Sequence, residues 1–208
     1  MYIFRIEKYE PNHRHSMNFF KKLFGSKSTT NDQTVNDKLN SLAAIYREDY
    51  FASRFVEESL ADQPEIVEGC IKMVESYFID NKIEAQIQTP IHHPINLDQV
   101  VTDGIGFHLY CKAFQQEDNQ IVFTLAYAFA AYMTQELDFK LYRDKEPEYP
   151  LRGMTIKYVK NEGVLSLYPV EYALKVLNNE ATFASLLDKI QNARTQMPTR
   201  DELFDSLK

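Results

Sequence analysis

Hydrophobic residues recur at helical spacing through most of this chain and at a spacing of two in one stretch. That pattern predicts a helix-rich α+β fold with a small antiparallel sheet. Residues 1–10, MYIFRIEKYE, are rich in aromatic and β-branched types and read as an edge strand that PNHRHS cuts short. Phe19, Phe20, Leu23 and Phe24 then recur at helical spacing with Lys21 and Lys22 between them, which predicts a short amphipathic helix. Ser26 to Asp37, SKSTTNDQTVND, is almost free of apolar residues and reads as a flexible linker. The expected organisation is an N-terminal extension over 1–25, a linker over 26–37 and a single α+β domain over 38–208. Met17 offers a second start of translation, which would make residues 1–16 an upstream extension.

Beyond the linker, Leu39, Leu42, Ala43, Tyr46 and Tyr50 share one helical face, and helix is expected to continue or restart towards Leu60. Pro64 suits the first turn of the next helix, whose apolar stripe is Val67, Cys70, Ile71, Val74, Tyr77 and Phe78. Glu65, Glu68 and Glu75 fall away from that stripe. Pro90 and Pro94, in TPIHHP, forbid a regular helix and favour an extended connection. Asn96 is expected to cap a helix beginning at Leu97, with Val100, Val101, Ile105, Leu109 and His108 turned inward. Gly104 and Gly106 should weaken or break it. After a polar turn at Gln116 to Gln120, the helix Ile121 to Leu137 is apolar nearly all round and should be central.

The period then becomes two. Phe139 and Leu141 alternate with Lys140 and Tyr142, and Met154, Ile156 and Tyr158 with Thr155 and Lys157. Asn161 to Gly163 supply a turn, and Leu165 and Leu167 alternate with Ser166 and Tyr168. A sheet of three to four strands is thus expected in the C-terminal half, its apolar face against helices. Lys140, Tyr142, Lys157, Ser166 and Tyr168 should share the other face. Pro169 ends the last strand, and two helices follow, carrying Val170, Leu174 and Leu177, then Phe183, Leu186, Leu187 and Ile190. Thr199 and Glu202 have capping-box spacing for a terminal helix with Leu203, Phe204 and Leu207.

Charge narrows the partners. With 23 Lys+Arg against 30 Asp+Glu, the net charge of −7 repels phosphate backbones and argues against nucleic-acid binding. Cys70 and Cys111 are the two cysteines, with no short-range pair, so neither a disulfide framework nor a zinc site is suggested. No stretch has the composition of a secretory signal, and the apolar run Ile121 to Met133 is too short to cross a bilayer. The expected location is cytoplasmic. The amphipathic Phe19, Phe20, Leu23 and Phe24 stretch remains a candidate for contact with an anionic membrane surface, or for docking onto the protein itself.

Catalytic motifs are absent from the sequence. It has no nucleophile elbow, phosphate-cradling loop, dinucleotide fingerprint or HExxH, and no catalytic, cofactor or metal residue is assigned. His13 and His15, and His92 with His93, lack a third ligand at useful spacing and read as solvated loop histidines. Glu57, Glu58 and the acids from Asp62 to Glu75 lack calcium-loop spacing and read as a solvated face. Acid–base chemistry assembled only in three dimensions, in a pocket between helix and sheet, stays open.

The outer sheet face is the candidate for partner contact. Tyr142, Lys157 and Tyr168, with Arg143 and Arg152 in the adjoining loop, would join aromatic area to positive charge on an acidic chain, a mixture typical of interface hot spots. The same face would serve equally to hold another part of this chain. The helix ending at Leu137, LDFKLYRD, YPLRG with Leu151 and Arg152, SLYP with Pro169, and the two helices after it form a series. From Ile121 to Ala193 that series resembles a small bacterial family of domains of unknown function, with Phe139 where the family carries a tryptophan. The resemblance implies a bacterial origin and a fold, but no activity. The functional expectation is a non-catalytic protein-binding role, in concrete form a toxin-neutralising immunity protein.

Overall fold

The computed structural model describes residues 53–160 and 163–197. The chain divides into the units Met1–Tyr46 and Arg47–Lys208, and every described residue belongs to the second. The expected N-terminal strand, the Phe19 to Phe24 helix, the linker, the Leu39 to Tyr50 helix and the terminal helix after Thr199 lie outside the described residues.

The described residues form an α+β fold of six helices and one four-stranded antiparallel sheet. The helices are α1 (Pro64–Asn81), α2 (Pro94–Thr102), α3 (Phe107–Ala113), α4 (Asp118–Glu136), α5 (Pro169–Leu177) and α6 (Phe183–Gln196). The strands are β1 (Phe55–Glu58), β2 (Lys140–Asp144), β3 (Met154–Lys160) and β4 (Gly163–Leu167), adjacent in the order β1-β2-β3-β4.

Helix α4 is the centre because almost no face of it is polar. Ile121, Val122, Leu125, Phe129 and Met133 are buried, and Ala126, Ala128, Ala130 and Ala131 keep its girth small enough for neighbours to close on several sides. Its start is fixed by a capping box between Glu117 and Gln120. Helix α1 packs Val67, Val74, Tyr77 and Phe78 inward, as its spacing predicts, while Cys70 and Ile71 are only half-buried. Helix α5 packs against α4, and Phe183 at the start of α6 stacks on Phe129 with centroids 4.7 Å apart.

Three differences from the sequence reading have physical causes. The segment towards Leu60 is not continuous helix: between a helical end at residues 53–54 and a short 3-10 turn at Leu60–Asp62, Phe55–Glu58 is a strand, because its backbone completes the open edge of β2. Helix α2 begins at Pro94 rather than Leu97, with His93 as its cap, the imidazole Nδ1 accepting the Ile95 N–H at 3.2 Å. Asn96 is instead fully buried and staples the preceding loop, accepting the Ile87 N–H at 3.0 Å and donating to the Ile87 and Ile91 carbonyls at 2.7 and 3.0 Å. Gly104 and Gly106, both with positive φ, separate α2 from α3, so Ile105, Leu109 and His108 are exposed rather than inward.

Candidate functional site

Strand register places the side chains of the outer face. Glu57 lies opposite Tyr142, Phe55 opposite Asp144, Tyr142 opposite Thr155, Lys140 opposite Lys157, and Lys157 opposite Ser166. Alternation puts all of these on one side of the sheet. Leu141 and Ile156, paired and buried, occupy the other side with the helices.

At the centre of the outer face the Lys157 Nζ stands 3.3 Å from the Phe55 ring centroid and 5.0 Å from that of Tyr142. No hydrogen bond or ion pair is made by this ammonium group among the described residues. Burial pulls it below the usual lysine range, the Asp144 carboxylate opposes that, and the Arg54 charge adds to it. Beside it, Arg54 grips Asp144 in a two-pronged pair, Nε to Oδ1 at 2.8 Å and Nη2 to Oδ2 at 2.7 Å. Burial pushes the Asp144 carboxyl up, but the Arg54 guanidinium and the Glu146 N–H outweigh it and hold it below the ordinary range. At the other end Glu57 accepts from Lys140 Nζ at 2.9 Å and from the Tyr142 hydroxyl at 3.3 Å.

The five residues expected to bind a partner therefore divide. Tyr142 and Lys157 share the outer face. Arg143 is on β2 rather than in a loop, and alternation turns it to the opposite side, where its Nε meets Glu58 at 2.6 Å. Arg152 lies between the Tyr149 and Tyr168 rings, 4.9 Å from each centroid, with its Nε on Glu171 at 2.8 Å. Glu171 also takes Lys175 at 2.8 Å, so this cluster spends its charge locally, tying the turn before β3 to α5. Tyr168 follows β4 as the residue before α5. Phe55, Glu57 and Asp144 complete the outer face; FVEE has no alternation of apolar and polar residues, so no local pattern marks β1 as a strand.

Two clefts flank the framework. One of about 380 Å³ lies between α2, α5 and α6, lined in part by Asp98, Thr102, Tyr172 and Lys189. Its carboxylate is engaged: Asp98 accepts the Phe183 and Ala184 N–H groups at 2.7 and 2.9 Å and so caps α6 from across the fold. A second, of about 470 Å³, lies where β1 and β2 meet α1 and α4. Its apolar part includes Leu60, Val67, Ile71 and Phe139, and its acids Glu57, Glu58 and Glu68 each face a cation, Lys140, Arg143 and Lys72. Neither cleft is lined by a histidine or cysteine among the described residues.

The histidines depart from expectation. His92 is only 6% exposed, packed with Tyr132, and its Nε2 lies 3.3 Å from Gln135 while its Nδ1 has no partner among the described residues. His93 is half-buried, its ring 4.8 Å from that of Tyr132. These loop histidines are held by the loop's docking on α4, not solvated. Burial pulls both imidazoles below the usual histidine range. No group of three metal-ligating side chains occurs among the described residues. Burial raises the Cys70 thiol to about 11 and the Cys111 thiol to about 12, leaving both protonated and unreactive at neutral pH. Among the described residues no helix is long and apolar enough to cross a membrane.

No family model matches this chain, and no curated protein or solved structure matches it either.

Proposed function

We propose that this protein is a non-catalytic binding protein whose partner docks on the outer sheet face, with Tyr142 and Lys157 at the centre of the contact. The observation that carries the reading is the Lys157 ammonium, half-buried beside two aromatic rings and without a hydrogen bond or ion pair among the described residues. The ring contacts offset the partial burial of the charge but leave the ammonium hydrogen-bond donors unused, and a partner carboxylate or carbonyl would take them on binding. Flanking tyrosine area is the usual setting of an interface hot spot. Neutralisation of a toxin, in a bacterial cytoplasm, is the concrete form we favour for a small acidic chain of this kind.

An enzyme or small-ligand role would use the cleft beside β1 and α1. Glu57 there is not suited to acid catalysis: Lys140 holds its carboxyl below the usual range, leaving it ionised and paired.

The test is a pull-down with the tagged full-length chain from an extract of the native host, read by mass spectrometry beside a Tyr142→Ala, Lys157→Ala variant. The expected result is one stoichiometric partner that the variant fails to retain. No stoichiometric partner, or one retained equally by the variant, would overturn the reading.

A further inference from the structure

The loop between α1 and α2 meets α4 through two adjacent imidazoles, and each sits where only the neutral ring fits. His92, buried against α4, has the Gln135 Oε1 3.3 Å from its Nε2, and its Nδ1 has no partner among the described residues. An imidazolium has two N–H donors, so protonation would bury one of them without an acceptor. His93 is confined to the neutral form by a different bond. Its Nδ1 accepts the Ile95 N–H, so that nitrogen must keep its lone pair, and it stands at the N-terminus of α2, where the helix dipole opposes a cation. Tyr132 of α4 lies edge-on to both rings, with centroids 6.4 Å from His92 and 4.8 Å from His93. Glu136 of α4 favours a cation on either ring and His93 opposes one on His92, but burial outweighs Glu136 at both.

The rest of the loop hangs on the turn that His93 caps. Asn96, in that first turn of α2, bonds the backbone of Ile87 and Ile91. Gln99 accepts the Gln86 N–H at 2.9 Å and donates to the Glu84 carbonyl at 3.2 Å. We infer that residues 84–97 form an acid-released latch on α4, closed by the two neutral imidazoles and opened, together with the first turn of α2, when they take up protons. Loss of the cap frays the turn, and the Asn96 staple goes with it. Opening would uncover Tyr132, which is 7% exposed, and free Gln135, which lines the cleft beside β1 and α1. The latch thus ties one wall of that cleft to pH. A ring in solvent titrates near about pH 6.5, and burial lowers both rings in the closed latch. The open state therefore binds the protons first, so closure is favoured above about pH 6.5 and weakens as pH falls below it. This inference does not depend on what binds the outer face of the sheet.

Residue-resolved hydrogen exchange of the full chain at about pH 7.5 and about pH 5, with rates corrected for their intrinsic pH dependence, tests it beside a His92→Gln, His93→Asn variant. Asparagine keeps an N-cap acceptor, and neither new side chain titrates in this range. In the wild type, protection at Ile87, Ile95 and Leu97 is expected to lie below that of α4 at both pH values and to fall about tenfold on acidification. The variant is expected to lose less than about twofold. Protection equal to that of α4 would mean opening only by global unfolding and overturns the inference. Wild-type protection that ignores pH overturns it too, as does a variant that loses as much as the wild type. If circular dichroism shows the variant unfolded, NMR titration of the wild type decides. Both imidazoles titrating below their midpoints in the urea-unfolded chain, with the Ile87 and Ile95 amide shifts following them, supports the latch. Midpoints equal to those of the unfolded chain, or amide shifts that do not follow, overturn it.

Discussion

Lys157 lies directly across from Lys140 in the β2–β3 register, and the two ammonium groups avoid each other by turning to different partners. Lys140 reaches Glu57 at 2.9 Å, and Lys157 turns to the Phe55 and Tyr142 rings. Like charges directly opposite are unfavourable in a sheet, so the solution leaves Lys157 half-buried and without an ion pair among the described residues. Lys157→Met is therefore expected to change the stability of the free protein by no more than about 0.5 kcal/mol, with a gain as acceptable as none. Thermal unfolding checks it. A loss beyond about 1 kcal/mol would mean that the cation serves the fold rather than a partner.

Arg54 and Asp144 behave oppositely. Their two-pronged pair is largely shielded, and Asp144→Ala should cost about 2 kcal/mol in urea unfolding. The Asp144 carboxyl is held below its unfolded value, so its contribution is complete above about pH 4 and is lost as pH falls through the folded value. Acid unfolding of the wild type should be steeper below that pH than acid unfolding of Asp144→Asn. Parallel curves would remove the pair from the account of stability.

Gly104 and Tyr77 bind α1 to the break between α2 and α3. The Tyr77 hydroxyl donates to the Asp103 carbonyl and accepts the Gly106 N–H at 3.0 Å. A Cβ on Gly104, where φ is +75°, would lie 2.8 Å from that hydroxyl. Tyr77→Phe should cost about 1–2 kcal/mol, and Gly104→Ala about as much or more. Neutral effects in denaturant titrations would show that this corner yields freely.

His92 predicts a pH response near neutrality. Its imidazole is buried against Tyr132 and Gln135, with His93 and Glu136 as the nearby titrating groups, and burial lowers its folded value. A lowered histidine means that the unfolded chain binds the extra proton first. The stability it supports is therefore present above about pH 6.5 and falls on acidification below it. His92→Leu should flatten the melting temperature between about pH 7.5 and about pH 5.5 relative to wild type. An unchanged slope would place the response elsewhere.

Local pattern determined much of this molecule. The 3.6-residue stripe of α1, the all-round apolarity of α4 and the alternation in β2 and β3 each state which side faces the core, because periodicity follows directly from backbone geometry. The sharing of one sheet face by Tyr142 and Lys157 was legible for the same reason, while the turning away of Arg143 depended on β2 extending to Asp144. What only the tertiary structure decided is what distant segments supply to one another. Four residues of FVEE become a strand because β2 has an edge to complete; Asn96 leaves its cap to staple a loop; His92 is buried because that loop docks on α4. The Lys157 environment is of this kind: Phe55 and Arg54 reach it from about a hundred residues away, and no local pattern encodes a neighbour brought by the closing of a sheet.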